Sequence, residues 1–190
     1  VSWTALHLEG YLDVAIATFD GERRRGVLNP WGNSFPAEEL PFGSTLTLGG
    51  VPFRLPPKRP GEPDSFEALG QSIGLPGAPR AHGIALLCYG EMGEQYVSLR
   101  VVGRDERALE LTATARGSTV PAGFNPGEEG IVSSHLHYPG DYDLDLVRVV
   151  LWRYEHRWGD SLEVFRLELG TNPLFHVLAI ALLDAETSRG

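Results

Sequence analysis

Apolar and polar residues alternate with a period of two through much of this chain. Val97, Leu99 and Val101 alternate with Tyr96, Ser98 and Arg100. An extended backbone puts the first set on a core and the second toward solvent. Comparable stretches recur: YLDVAIATF, STLTL, VPFRL, QSIGL, GIALLCY, QYVSLRVV, ALELTATA, LVRVVLWRY, LEVFRLEL and HVLAIALL. About ten short elements of this kind make a β protein. The later ones are apolar on both faces, as strands at the centre of a sandwich are.

Turn chemistry separates the stretches. Gly49-Gly50 between TLTL and VPF predicts a two-residue hairpin, and PPKRPGEPD predicts a proline-rich surface loop. Helix is confined to PAEEL and DSFEAL, a turn or two each, the second with Asp64 as N-cap and Glu67 at the capping-box spacing. Residues 117–130, GSTVPAGFNPGEEG, form the longest irregular segment, and such a loop is functional or mobile. The expected fold is all-β: a two-sheet antiparallel β-sandwich of jelly-roll type, formed by residues 1–190 as one domain.

Composition narrows the function. With 42% hydrophobic residues in 190, the chain can bury a core without staples. A formal net charge of −9 disfavours nucleic acid and anionic lipid as partners, since the one basic cluster is Arg23-Arg24-Arg25. Lys58 is the single lysine. Cys88 is the single cysteine, excludes an internal disulfide and sits in an apolar run, as an inert buried thiol does. No stretch approaches the roughly 18 apolar residues of a membrane span, and VSWTALHLEG lacks the features of a signal peptide. The expected location is cytoplasmic, unless an export signal has been removed.

The densest chemistry lies in SHLHYPGDYDLD, residues 133–144. On a strand, His135 and His137 point to one face, near enough to chelate a divalent metal with Asp141 or a distant His176 as third ligand. The spacing loosely resembles the first metal motif of cupins, with Asp141 where that motif has glutamate. Against this stands a metal-free reading in which the histidines hydrogen-bond beside Tyr138. Asp141, Asp143 and Asp145 also alternate as Ca²⁺ ligands do, without the glycine turn and distal glutamate of an EF-hand. Trp31, in LNPWGNSF between Asn29 and Asn33, is a large ring in a loop-like setting. An indole there is either a structural plug or a stacking face for a sugar, with asparagine, aspartate and histidine bonding the sugar's hydroxyls. Trp152 and Tyr154 share a face with Val150, which favours packing. The sequence has no Gly-x-Ser-x-Gly elbow, Walker loop or dinucleotide fingerprint.

The order of motifs adds a resemblance. YLDVAIATFDG, NSFPAEELP, LTLGGVPFRLP, DSFEALGQSIGLPG and VFRLELGTNPLFHVLAIALLD together resemble β-sandwich domains common in actinobacterial proteins, known as carbohydrate-binding-like or accessory domains of glycoside hydrolases. The resemblance runs from about residue 11 to 184 and rests mainly on structural positions. Phe19 stands where the group has asparagine before Asp20-Gly21, and GRDE replaces a Tyr-x-Asp-Gly turn. The resemblance implies a non-catalytic recognition module for a carbohydrate or sugar-bearing small molecule. Its expected ligand residues are Asn29, Trp31, Asn33, His135, His137, Tyr138 and Asp141, with no cofactor. The alternatives are a cupin-like divalent-metal enzyme using His135, His137 and Asp141 or His176, and a protein-interaction domain that meets a partner or a second copy of itself as a homo-oligomer.

Overall fold

The computed structural model describes residues 2–140 and 142–184. Its strands are β1 (Trp3–Ala5), β2 (Ala17–Thr18), β3 (Phe35–Pro36), β4 (Thr45–Leu48), β5 (Val51–Arg54), β6 (Phe66–Leu69), β7 (Ser72–Gly74) and β8 (Arg80–Gly90). They continue with β9 (Gln95–Gly103), β10 (Ala108–Ala115), β11 (Thr119–Pro121), β12 (Gly130–Val132), β13 (Leu136–His137), β14 (Asp143–Leu144), β15 (Val147–Leu169) and β16 (Thr171–Asp184). Among the described residues helix amounts to three 3-10 turns, at Asp20–Arg25, Ala37–Glu39 and Gly127–Glu129.

Ten strands join in one antiparallel network ordered β1-β16-β8-β15-β9-β10, with β6, β7, β11 and β12 on its flanks. β15 is its hinge. Residues 152–157 pair with β8, whereas residues 164–169 pair with β9 and 166–168 also with β7. Register shifts between Arg157 and Leu162 mark the bend, as a bulge does by leaving residues unpaired and sharpening the twist. The two halves close on one apolar layer in which Ile84, Leu86, Ile180 and Leu182 meet Val97, Leu99, Val101, Ala113 and Leu167.

The opposite face of β8, β15 and β16 is also covered. Ala85, Leu87, Tyr89, Leu151, Leu178 and Ala181 pack against Ile16, Leu28, Phe35, Phe53, Leu55 and Leu136 from the irregular layer. That layer holds the hairpins β4-β5 and β13-β14 and the parallel pair β2-β3. Cover on both faces explains why GIALLCY and HVLAIALL lack alternation in polarity. Cys88 is fully buried, and burial pushes its thiol up to about 12, which leaves it inert.

The turn at Gly49-Gly50 forms as expected, with Leu48 paired to Val51 and both glycines at positive φ, 55° and 77°. Three expectations are corrected. LVRVVLWRY and LEVFRLEL are one strand, because Gly159 keeps ordinary backbone angles and the chain bends there without turning back. DSFEAL is not helical: Phe66–Leu69 is β6, and Asp64 caps no helix. Its Oδ1 and Oδ2 accept the amides of Ile16 and Ala17 at 3.0 and 3.1 Å. YLDVAIATF correspondingly has only β2 and a single bridge from Val14 to Ser65, since the Asp64 carboxylate takes the place of a neighbouring strand. Within 117–130, β11 is ordered against β15.

Candidate functional site

Two remote segments of the irregular layer meet edge to edge. Ser34 and His137 exchange backbone hydrogen bonds at 3.0 and 3.1 Å, which joins the loop before β3 to the hairpin β13-β14. The first segment is built by its own turn. Asn29, Pro30, Trp31 and Gly32 close a β-turn through Gly32 N–H to Asn29 C=O at 2.9 Å, with proline where φ must be near −65°. The Asn29 side chain accepts the amides of Trp31 and Asn33 at 3.2 and 3.3 Å, which holds the turn in shape. Asn29 and Asn33 are buried in this role, while Trp31 is 60% exposed at its tip.

The second segment is set by hairpin register. His137 faces Asp143 across β13-β14, and residues two apart or directly opposite share a face. His135, His137 and Asp143 therefore converge, with the imidazole centroids 5.1 Å apart. The expected pairing of the two histidines is present; the carboxylate beside them is Asp143, while Asp141 lies outside the described residues. His176 is not part of this group: it is buried on β16, stacked on Tyr89 at 4.5 Å.

Charge from two further elements completes the cluster. Arg23 donates to Asp20 at 2.7 Å and to Asp143 at 2.5 Å, and so bridges the 3-10 turn to the hairpin. Glu39 accepts the amide and hydroxyl of Ser134 at 2.7 and 2.6 Å and lies 3.4 Å from His135 Nδ1. Glu38 accepts the Asp20 amide at 3.2 Å and, with Asp20 and His137, forms a second convergent group. The hydrogen bond from Arg23 holds the Asp20 carboxyl below its usual range. His137 is pushed down, first by burial and then by Arg23 and His135, against the pull of Asp20 and Glu38. Its ring is neutral at pH 7, held between the Thr18 hydroxyl at 3.3 Å from Nδ1 and Asp20 at 3.3 Å from Nε2.

At the rim, Tyr138 stacks on Tyr142 with centroids 4.7 Å apart. A cavity of about 380 Å³ opens alongside, lined by Asp20–Arg25, Pro60 and Pro139. The arrangement offers hydroxyl-bonding carboxylates and imidazoles beside exposed aromatic faces. Asp20, Arg23, Glu38 and Glu39 were not recognisable as site residues from the sequence. Asp143 entered the sequence reading only as one of three alternating acids; the register of β13-β14 places it opposite His137. Trp152 is buried, as expected for packing, and donates to the Gly117 carbonyl at 2.9 Å.

Among the described residues no helix is long and apolar enough to cross a membrane. A model of the AziU2-like beta-sandwich domain family matches residues 2–186. No curated protein matches the chain.

Proposed function

This chain belongs to the AziU2-like beta-sandwich domain family, and we propose that it is a one-domain, non-catalytic binding module for a carbohydrate or sugar-bearing small molecule. The observation that carries this reading is the Ser34–His137 pairing, which sets the exposed Trp31 turn beside a charged, hydrogen-bonding cluster. Trp31, Tyr138 and Tyr142 supply apolar ring faces; His135, Asp20 and Asp143 bond hydroxyls. Asn29 and His137, both buried, hold these groups in place, and Asn33 is buried beside them with its side-chain oxygen unpartnered. The polar groups are cross-linked to one another before any ligand arrives, so little ordering cost remains to be met on binding.

The test is isothermal titration of wild type and Trp31→Ala against a panel of mono- and oligosaccharides. Loss of a stacking ring should weaken the best ligand by at least about tenfold, roughly 1.4 kcal/mol, with thermal stability unchanged because the side chain is exposed. Equal binding by both proteins across the panel contradicts the reading.

A divalent-metal site is the second reading, favoured by the convergence of ligand atoms from His135, His137 and Asp143 within 4.8 Å of one another. Against it, Arg23 already engages one oxygen of Asp143, so a cation there would share that carboxylate with a guanidinium and sit close to its positive charge. The sugar-binding reading predicts less than about a tenth of an equivalent of transition metal in untagged protein. One equivalent that disappears in His135→Ala would favour the metal.

A further inference from the structure

The three consecutive arginines do more than decorate the surface. Arg23 is consumed by Asp20 and Asp143, but Arg24 and Arg25 have no carboxylate within salt-bridge distance among the described residues. Both line the 380 Å³ cavity beside the His135–Asp143 cluster, between Pro60 and Pro139, whose rings give it stiff walls. Arg25 is seated by the opposite loop. Gly61 has φ +76°, and a Cβ there would lie 2.2 Å from Arg25 Nη1, so the glycine leaves the space that the guanidinium occupies. Glu22, on the same wall, keeps Oε2 buried without a hydrogen-bond partner, while its Oε1 accepts the Phe19 amide.

These features ask for two different things. Three arginines against two carboxylates, Asp20 and Glu22, leave a positive excess in the lining of a chain whose net charge is −9, and the planar fork of arginine matches the oxygens of a phosphate. Among the lining carboxylates, the exposed Asp20 is the one open to accept a ligand hydroxyl. We propose that the ligand of this site is a phosphorylated sugar, its phosphate on Arg24 and Arg25 and its hydroxyls on the Asp20 side. This deepens the carbohydrate reading and rests on it. Pro139 and Asp20 connect the two regions: Pro139 lies 3.2 Å from a Cβ built on Gly32, next to Trp31, and Asp20 contacts His137.

Titration with glucose 6-phosphate, glucose and inorganic phosphate separates the parts, using wild type and the double variant Arg24→Ala/Arg25→Ala. Both arginines are exposed and unpaired, so the variant should keep its folded circular-dichroism spectrum and melting temperature. The expected result is that glucose 6-phosphate binds at least about tenfold more tightly than either fragment, and that this advantage vanishes in the double variant and at high salt. Equal binding of glucose and glucose 6-phosphate would overturn the phosphate assignment and leave the carbohydrate reading standing. Inorganic phosphate binding as tightly as glucose 6-phosphate would overturn the sugar part while keeping an oxyanion site. No binding of any of the three at millimolar concentration would overturn the proposal.

Discussion

Asp64→Ala should destabilise the protein by about 3–5 kcal/mol, because it strands a buried ammonium. Lys58, the only lysine in the chain, has a wholly inaccessible side chain, with Nζ 2.7 Å from Asp64 Oδ2 and 2.5 Å from the Glu62 carbonyl. Asp64 is wholly inaccessible as well and also holds the amides of Ile16 and Ala17. Removing the carboxylate therefore unpairs a charge and orphans two backbone donors at once. Burial pushes the Asp64 carboxyl up against the opposing pull of Lys58, so the pair carries a desolvation cost of its own. Replacing both partners together, as in Lys58→Met/Asp64→Asn, should accordingly lose less than Asp64→Ala alone. Urea denaturation of the three proteins measures this; an Asp64→Ala loss below about 1 kcal/mol would show that water reaches Lys58 in the folded state.

The second large effect is a dependence on pH centred on His176. Its ring is buried against Tyr89, with Nε2 3.2 Å from Glu91, and burial pushes its pKa from 6.5 down to about 4. The sign follows from proton counts. Between pH 6.5 and 4 the unfolded chain binds a proton at His176 that the folded chain excludes, so acid favours unfolding. The stabilisation is complete above about pH 6.5 and declines as pH falls toward 4, by about 3 kcal/mol in all. Glu91 works in the opposite direction, because burial and Glu67 raise its carboxyl and protonating it favours the folded state. Tyr89, pushed well above its ordinary value by burial, stays neutral throughout. Stability measured from pH 7.5 to about 4 should thus be flatter in His176→Phe than in wild type. Identical slopes in the two proteins would mean that another group carries the acid sensitivity.

The physical reason for each success and failure at the sequence level is specific. Alternation at Val97, Leu99 and Val101 reports a strand directly, because one face of β9 is buried and the other wet. The doubly apolar β8 and β16 report only that they are central, and the composition of an irregular layer packed above them says nothing of its shape. DSFEAL carries a good capping box, yet the strand wins: Phe66 and Ala68 fill a core and Asp64 finds Lys58 and two distant amides. Local propensity had no access to those partners. In the candidate site, the convergence of His135 and His137 was legible from their two-residue spacing and the exposure of Trp31 from its polar neighbours. Asp20, Arg23, Glu38 and Glu39 come from 3-10 turns whose only relation to the hairpin is tertiary. His176, drawn toward the metal group by residue type, turns out to serve the core.

The central claim is that the Trp31 turn and the β13-β14 hairpin form one ligand-binding surface. The most direct measurement is a titration of ¹⁵N-labelled protein with sugars and sugar phosphates, followed by amide and indole resonances. The account predicts saturable shifts confined to residues 18–39, 60–62 and 134–143 and to the Trp31 indole, all fitting one dissociation constant. Shifts centred on another face, or none in those segments at saturating ligand, would contradict it.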